Sequence, residues 1–586
     1  LALYDIWVSL EGWNWSYSGE SFPVGANWRF AGRPIDEWGN QPGVEIDKDG
    51  RVKTLDLGTF NPKGEVSPSL GNLTELYSLW LGTHNDVVTV EDDSEMYKLN
   101  MYELHRKGVD LRAHRMEIAK ERLRLLEPKK TSNIYGSEKK KFKYATPGQY
   151  DLNAGSVTNR ITKIPEEIGN LTNLTYLFIA NGKVSELPES MANLKQLTDL
   201  ELYNCPFEEF PEVLTKMTSI ISLNFSNNPT IAPDELYDGL NRFIESNKDE
   251  LQILYASACG LEKFPEALKD ATRIGLLDFR SNRLAELPNT DRQLAPVQLY
   301  FDHNRIEKID PKFCNTDDIE TLSVSNNLLT EFPDMFKDGA ESMYTIETVD
   351  FSDNHITKFA DGFKGICTKT LTLTKNDFHK NTDPRYYKKG KHLFPYDLAE
   401  TKSRISHLEI ADCGIDSLDV KALKFDDNLK MLEALNISSN NLKYISYDFD
   451  AVNFPFLTGV NLSYNSLVTF PLAVLGLPML NKLYVSDQVD RKTGLSSLKD
   501  WYTSLSSYPA SFTLRLMDVS YNDIQRIPEE QFPVMLVNFN VEGNPNLEME
   551  MPADVCTRIA NGLFTFGYSP EQHITGCPIL DLDINK

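Results

Sequence analysis

The chain has 586 residues, 41% of them apolar and 25% charged, with a formal net charge of -25 and a pI near 4.9. A single hydrophobic core stops growing near ~250–300 residues, so this length requires several domains or a repeat architecture. The acidity argues against nucleic-acid binding, which uses a basic face, and no run of ~18 apolar residues offers a transmembrane helix.

Residues 1–50 hold Trp7, Trp13, Trp15, Trp28 and Trp38, five of the seven tryptophans, behind a helix-like stretch from Leu3 to Leu10. We read them as an N-terminal cap, with a sugar-binding aromatic platform as the alternative. Asp47-Lys48-Asp49-Gly50 reads as a hairpin turn rather than a calcium loop, because the remaining ligands of such a loop are missing. The chain opens on Leu1 without a methionine, and an upstream signal or anchor segment is expected to have been removed.

From Arg51 onward a short apolar strand recurs, each followed by one small polar residue. That residue falls at Cys205, Asn228, Cys259, Asn282, Asn304, Asn327, Asn354, Asn376, Cys413, Asn440, Asn465, Gln488, Asn522 and Asn544, most often 22 or 23 residues apart. Apolar residues stand five and three positions before it, as with Leu277 and Phe279 before Asn282. The pattern L-x-x-L-x-L-x-x-N/C-x-L resembles that of leucine-rich repeat proteins. Gly169-Asn170-Leu171-Thr172-Asn173-Leu174 and the steps Phe210-Pro211, Phe264-Pro265 and Leu287-Pro288 carry the same likeness, and the stretch from Gly64 to Asn72 is similar to the plant-type subclass. The mixed style with long insertions resembles secreted or surface leucine-rich repeat proteins of bacteria. The resemblance implies an α/β solenoid, a curved horseshoe with a parallel β-sheet on its concave face. Each repeat is unable to bury its own apolar face, so neighbours stack into one continuous core of about seventeen strands. Cys205, Cys259 and Cys413 are then ladder residues rather than reactive thiols.

The expected organisation is a cap at 1–50, repeats at 51–547 and a C-terminal cap at 548–586. The period is broken by an insertion at 86–156 and smaller ones at 377–404 and 489–512. Between Lys98 and Lys143 the largest insertion carries fourteen Lys/Arg against six Asp/Glu, with a helix expected from Arg112 to Glu127. It reads either as an excursion folded onto the acidic solenoid or as a docking arm for an acidic partner. Cys556 and Cys577 lie beyond the last repeat, 21 residues apart, and are the candidate disulfide of the C-terminal cap; a bridge there implies an oxidising compartment.

Catalytic motifs are missing: the sequence has no H-E-x-x-H, C-x-x-C, G-x-S-x-G or phosphate loop. We expect no enzyme, no cofactor and no metal. Binding is expected at strand positions that point away from the core, where Trp80, Tyr176, Phe178, Tyr203, Tyr255, Asp278 and Tyr300 concentrate in the first half; exposed aromatics suit recognition. The expected partner is a protein, or alternatively a glycan, and the expected location is a bacterial cell surface or the extracellular medium. A third reading is a structural or adhesive spacer. Asn-x-Ser sequons at Asn224, Asn436 and Asn461 fall on the same strand face, where glycans block binding, which favours a bacterial source.

Overall fold

The computed structural model describes the chain apart from residues 18–21, 24, 83–158, 318, 337–345, 401–404, 419–428, 500, 503, 528–531, 579 and 581–586. The basic insertion expected at 86–156, with its helix, lies outside the described residues. Two compact units divide between Ile319 and Glu320.

The first unit opens on helix Ala2–Ser9 and a hairpin in which Val44–Ile46 runs antiparallel to Val52–Asp56. Asp47 closes the hairpin by accepting from the backbone N–H groups of Asp49 and Arg51, and Gly50 takes the positive φ (75°) that the turn needs. From Val52–Asp56 the sheet continues in parallel and in constant register through Ser78–Trp80, Tyr176–Phe178, Asp199–Glu201, Ser222–Asn224, Ile253–Tyr255, Leu276–Asp278 and Gln298–Tyr300. The second unit stacks its strands in the same way. They run from Thr321–Ser323 and Ile346–Asp350 through Ala434–Asn436, Gly459–Asn461, Lys482–Tyr484 and Leu516–Asp518 to Asn538–Asn540. A further strand, Thr565–Gly567, pairs in parallel with Asn538–Asn540, so the sheet runs on into residues 548–586.

Alternation along each strand decides what is core. In Leu276–Asp278, Leu277 points inward with Phe279, and both are fully buried. Leu276 and Asp278 point to the opposite face. Stacking repeats the inward pair in every strand: Leu177, Leu200, Leu223, Leu254 and Leu299 align in register and are fully buried. Each such side chain contributes about 1.5–3 kcal/mol relative to an exposed one.

The residue that ends each strand segment solves the backbone problem of the turn. Asn282 Nδ2 donates to the carbonyls of Ala256 (2.8 Å) and Phe279 (3.0 Å), while its Oδ1 accepts from the N–H groups of Cys259 (3.1 Å) and Leu261 (3.0 Å). One side chain thus satisfies groups in its own repeat and the one before it, which burial would otherwise leave unpaired. Asn440 and Asn544 repeat the pattern. The residue just before the ladder position is held at positive φ in repeat after repeat: Asn204, Asn227, Ala258, Ser281, Asp353, Lys375, Tyr464 and Tyr521 lie between 54° and 63° or within a degree of that range. Gly543 takes the same place without strain.

The stretches that leave the sheet are short 3₁₀ turns opened by proline, as at Pro211 before Glu212–Lys216 and Pro265 before Glu266–Asp270. Where the spacing widens to 31 residues, between Asn228 and Cys259, an α-helix Pro233–Asn247 fills the room. Its Gly239 lies against the Phe210 ring, where a Cβ would sit 2.2 Å from Cγ.

The N-terminal aromatics pack together. Trp15 and Trp28 are buried edge to face at 5.0 Å, and their indole N–H groups donate to the carbonyls of Leu10 and Pro42. At the other end Cys556, in helix Ala553–Ala560, is joined to Cys577 by a disulfide. Residues 377–404 contain a hairpin of Tyr387–Lys388 and Lys391–His392, anchored by buried Tyr386, whose hydroxyl donates to Asp397. Burial pushes both the Tyr386 hydroxyl and the Asp397 carboxyl above their ordinary range. In residues 489–512, Trp501 stacks on Phe470 at 4.4 Å.

Candidate functional site

Strand alternation leaves one face of the sheet unused by the leucine core, and the first unit fills that face with two apolar clusters. Trp80, Tyr176, Phe178, Ala180 and Tyr203 form one; Ile253, Leu276 and Tyr300, with Tyr255 against them, form the other. Strand register places Trp80 beside Phe178 and Phe178 beside Glu201. Neighbouring strands lie only ~4.8 Å apart, so rings at one register position must meet. Trp80 stacks on Phe178 at 4.6 Å, meets Tyr176 at 4.9 Å, and Phe178 meets the edge of Tyr203 at 5.8 Å. Two hydrogen bonds orient the group: Trp80 Nε1 donates to Ser78 Oγ (3.0 Å), and Asn181 Nδ2 to the Tyr203 hydroxyl (3.4 Å).

In the second cluster Asp278 lies in register between Tyr255 and Tyr300. Arg280, two residues on and so on the same face, forks onto Asp278: Nε to Oδ1 at 2.9 Å and Nη2 to Oδ2 at 2.5 Å. Its guanidinium lies 5.2 Å from the centre of the Tyr300 ring. A charge-assisted bidentate pair that also covers an aromatic face fixes all three side chains.

These residues were expected to be exposed, and the structure corrects that. Trp80, Tyr176, Phe178, Tyr203, Asp278 and Tyr300 are buried; Tyr255 is half-buried. At strand spacing large side chains in one row meet instead of standing free, as the ring contacts of Trp80, Tyr176, Phe178 and Tyr203 show. Arg280, Ile253 and Leu276 belong to the face as well and were missed. Their signal was present, since each stands two residues from a position that was chosen.

A family model of the leucine-rich repeat matches residues 1–57. A leucine-rich repeat protein of Bacteroides eggerthii is 27% identical, with 99% of this chain and 98% of that one covered and a TM-score of 0.75. One from Bacteroides thetaiotaomicron is 28% identical over 99% of this chain and 72% of that one, with a TM-score of 0.76. The fold is that of a leucine-rich repeat solenoid. No curated protein matches it.

In this repeat the small residue after the strand is a structural part, and the cysteines conform. Cys259 Sγ donates to the carbonyl of Phe225 (3.2 Å) and Cys413 Sγ to that of Leu373 (3.3 Å); burial pushes both thiols up to about 12. Burial raises Cys205 further still, and Cys314 to about 12. In the second unit the face row that aligns with Trp80 is rich in Asn and Asp. Asn436, Asn461 and Asp518 each accept from the backbone N–H two residues on, at 3.1, 3.0 and 2.9 Å. The sequon asparagines thus cap the strand ends. Among the described residues no group of three or more His, Cys, Asp or Glu side chains is placed to hold a metal ion, and no helix is long and apolar enough to cross a membrane.

Proposed function

We propose that this leucine-rich repeat protein is a non-catalytic binding protein that recognises a protein ligand through the non-core face of its first unit. The observation that carries the reading is the pairing of a packed aromatic row with the Asp278–Arg280–Tyr300 arrangement, on a face that the leucine core does not require. Trp, Tyr and Arg are the residue types that dominate protein interfaces. Rings already packed in the free chain lose little rotamer freedom on binding, which favours affinity. Leucine-rich repeat proteins commonly serve as protein-interaction scaffolds, and the two Bacteroides structures it resembles are bacterial.

An extracellular or cell-surface location fits the Cys556–Cys577 disulfide, since such bonds persist in oxidising compartments. Carbohydrate recognition is the second reading. It is favoured by Trp13 in the N-terminal cap, which is 58% exposed and stands edge-on to Trp7 at 6.0 Å, leaving an indole face for a sugar ring.

The test is a screen of the purified chain against protein and glycan arrays, with Tyr255→Ala/Arg280→Ala and Trp13→Ala variants beside it. Protein binding lost in the first variant supports the reading. Glycan binding lost only in Trp13→Ala replaces it with the second, and binding untouched by either variant contradicts both.

A further inference from the structure

Three residues before each strand lies a register position that contributes nothing to the core. In five successive strands of the first unit it is polar: Asn173, Gln196, Ser219, Glu250 and Arg273 hold it from Tyr176–Phe178 to Leu276–Asp278, and Arg273 Nη1 reaches Glu250 Oε2 at 2.9 Å. In five consecutive strands of the second unit an apolar residue stands at or next to the same position. Met431, Phe456, Met479 and Met535 hold it ahead of Ala434–Asn436, Gly459–Asn461, Lys482–Tyr484 and Asn538–Asn540. Ahead of Leu516–Asp518, Phe512 stands one residue further back. All five are exposed; Phe456 and Met479 leave about half their surface in water and Phe512 most of it. The five strands are consecutive and parallel, so these side chains form one apolar strip about 20 Å long, from four steps of ~4.8 Å. A water-soluble chain with a net charge of -25 has no packing reason to keep such a strip open.

We infer that this strip is the interface of a homodimer, its occupant the same strip of a second copy related by a two-fold axis. The argument is charge complementarity. The residue immediately before each strand flanks the strip, and in chain order it reads Glu433, Thr458, Asn481, Arg515 and Val537. A two-fold axis between the second and third of these strands runs the two strips antiparallel. Phe456 then meets Met479 of the second copy, Met431 meets Phe512 of the second copy, and Thr458 faces Asn481 of the second copy. Glu433 faces Arg515 of the second copy, and the symmetry forms that pair twice. Both side chains are exposed, and neither makes an ion pair among the described residues. The stretch from Met431 to Phe512 is therefore self-complementary, apolar along its length with Glu433 toward one end and Arg515 toward the other, and Met535 lies beyond it. An apolar centre with a polar rim is the anatomy of a protein interface.

Sedimentation velocity on the whole chain tests this. The expected result is a dimer that Phe456→Asp/Met479→Asp converts to monomer with an unchanged thermal melt. Glu433→Arg alone and Arg515→Glu alone weaken the dimer at least tenfold, and the two together restore it. A chain that stays monomeric at its highest soluble concentration overturns the inference. So does a dimer indifferent to the aspartates, or a charge swap that fails to restore association. A monomer that co-sediments with phosphatidylcholine–phosphatidylglycerol vesicles, and loses this in Phe456→Asp/Met479→Asp, overturns it in favour of a lipid surface. Loss of ligand binding in Tyr255→Ala/Arg280→Ala reads the other unit, so the two proposals fail separately.

Discussion

The two units use one repeat but weight two register positions differently. On the non-core face the first unit sets Trp80, Phe178, Tyr255 and Tyr300 among Asp56, Glu201, Asn224 and Asp278, where the second carries Asn436, Asn461, Asp518 and Asn540 around Tyr484. Ahead of the strand the first unit carries Asn173, Gln196, Glu250 and Arg273, where the second carries Met431, Phe456, Met479 and Met535. Inward leucines and ladder residues scarcely change between them, because packing and buried hydrogen bonds fix both. What differs is what the core leaves free. We propose that specific interaction is written in those two rows, with a different one used in each unit.

The largest effect should come from removing a buried ring of the first unit. Trp80→Ala is expected to cost the first unit about 3–5 kcal/mol in chemical denaturation. Asn461→Ala, at the equivalent position of the second unit, loses one acceptor for the Ser463 N–H and should cost only ~1 kcal/mol. Equal costs would break the comparison. Next is the ladder, where the units should not differ: Asn282→Ala and Asn440→Ala each strand several buried backbone groups and should both cost about 3 kcal/mol. Cys259 is the control within the ladder, because burial holds its thiol near 12; it should resist a thiol reagent at pH 8 until the chain unfolds.

Smaller effects sharpen the contrast further. Ala258→Gly relieves a residue held at φ 54° and should raise stability by about 0.5–1 kcal/mol, net of the entropy glycine adds to the unfolded chain. Burial lowers the pKa of His407 in the second unit, against an opposing pull from Glu433. The folded state therefore disfavours the imidazolium that the unfolded chain forms below about pH 6.5. Stability is full above that value and is lost as pH falls through it toward the folded pKa. Hydrogen exchange should show this loss in the second unit, and His407→Gln should flatten it.

Most of the architecture was legible because it is periodic. The ladder at Asn282 and Asn440, the inward Leu277 and Leu435, and the Pro211 step recur at a spacing that one sequence displays many times over. The face was legible only in part. Alternation placed Trp80, Phe178 and Tyr300 on it, but their packing depends on which ring lies one strand away, and that is a relation between residues 98 positions apart in the case of Trp80 and Phe178. Arg280 was overlooked because a fork onto Asp278 is a matter of side-chain geometry. The apolar strip was missed for a different reason: Met431, Phe456 and Met479 look like ordinary members of an apolar-rich repeat until exposure separates them from their buried neighbours Leu432, Leu457 and Leu480.

We propose that a ligand binds on the first unit's non-core face. Hydrogen exchange of the chain with and without a protein ligand recovered from the array tests it most directly. The account predicts slowed exchange in Ile253–Tyr255, Leu276–Asp278 and Gln298–Tyr300, absent in Tyr255→Ala/Arg280→Ala. Protection confined to the second unit, or to the caps, would contradict it.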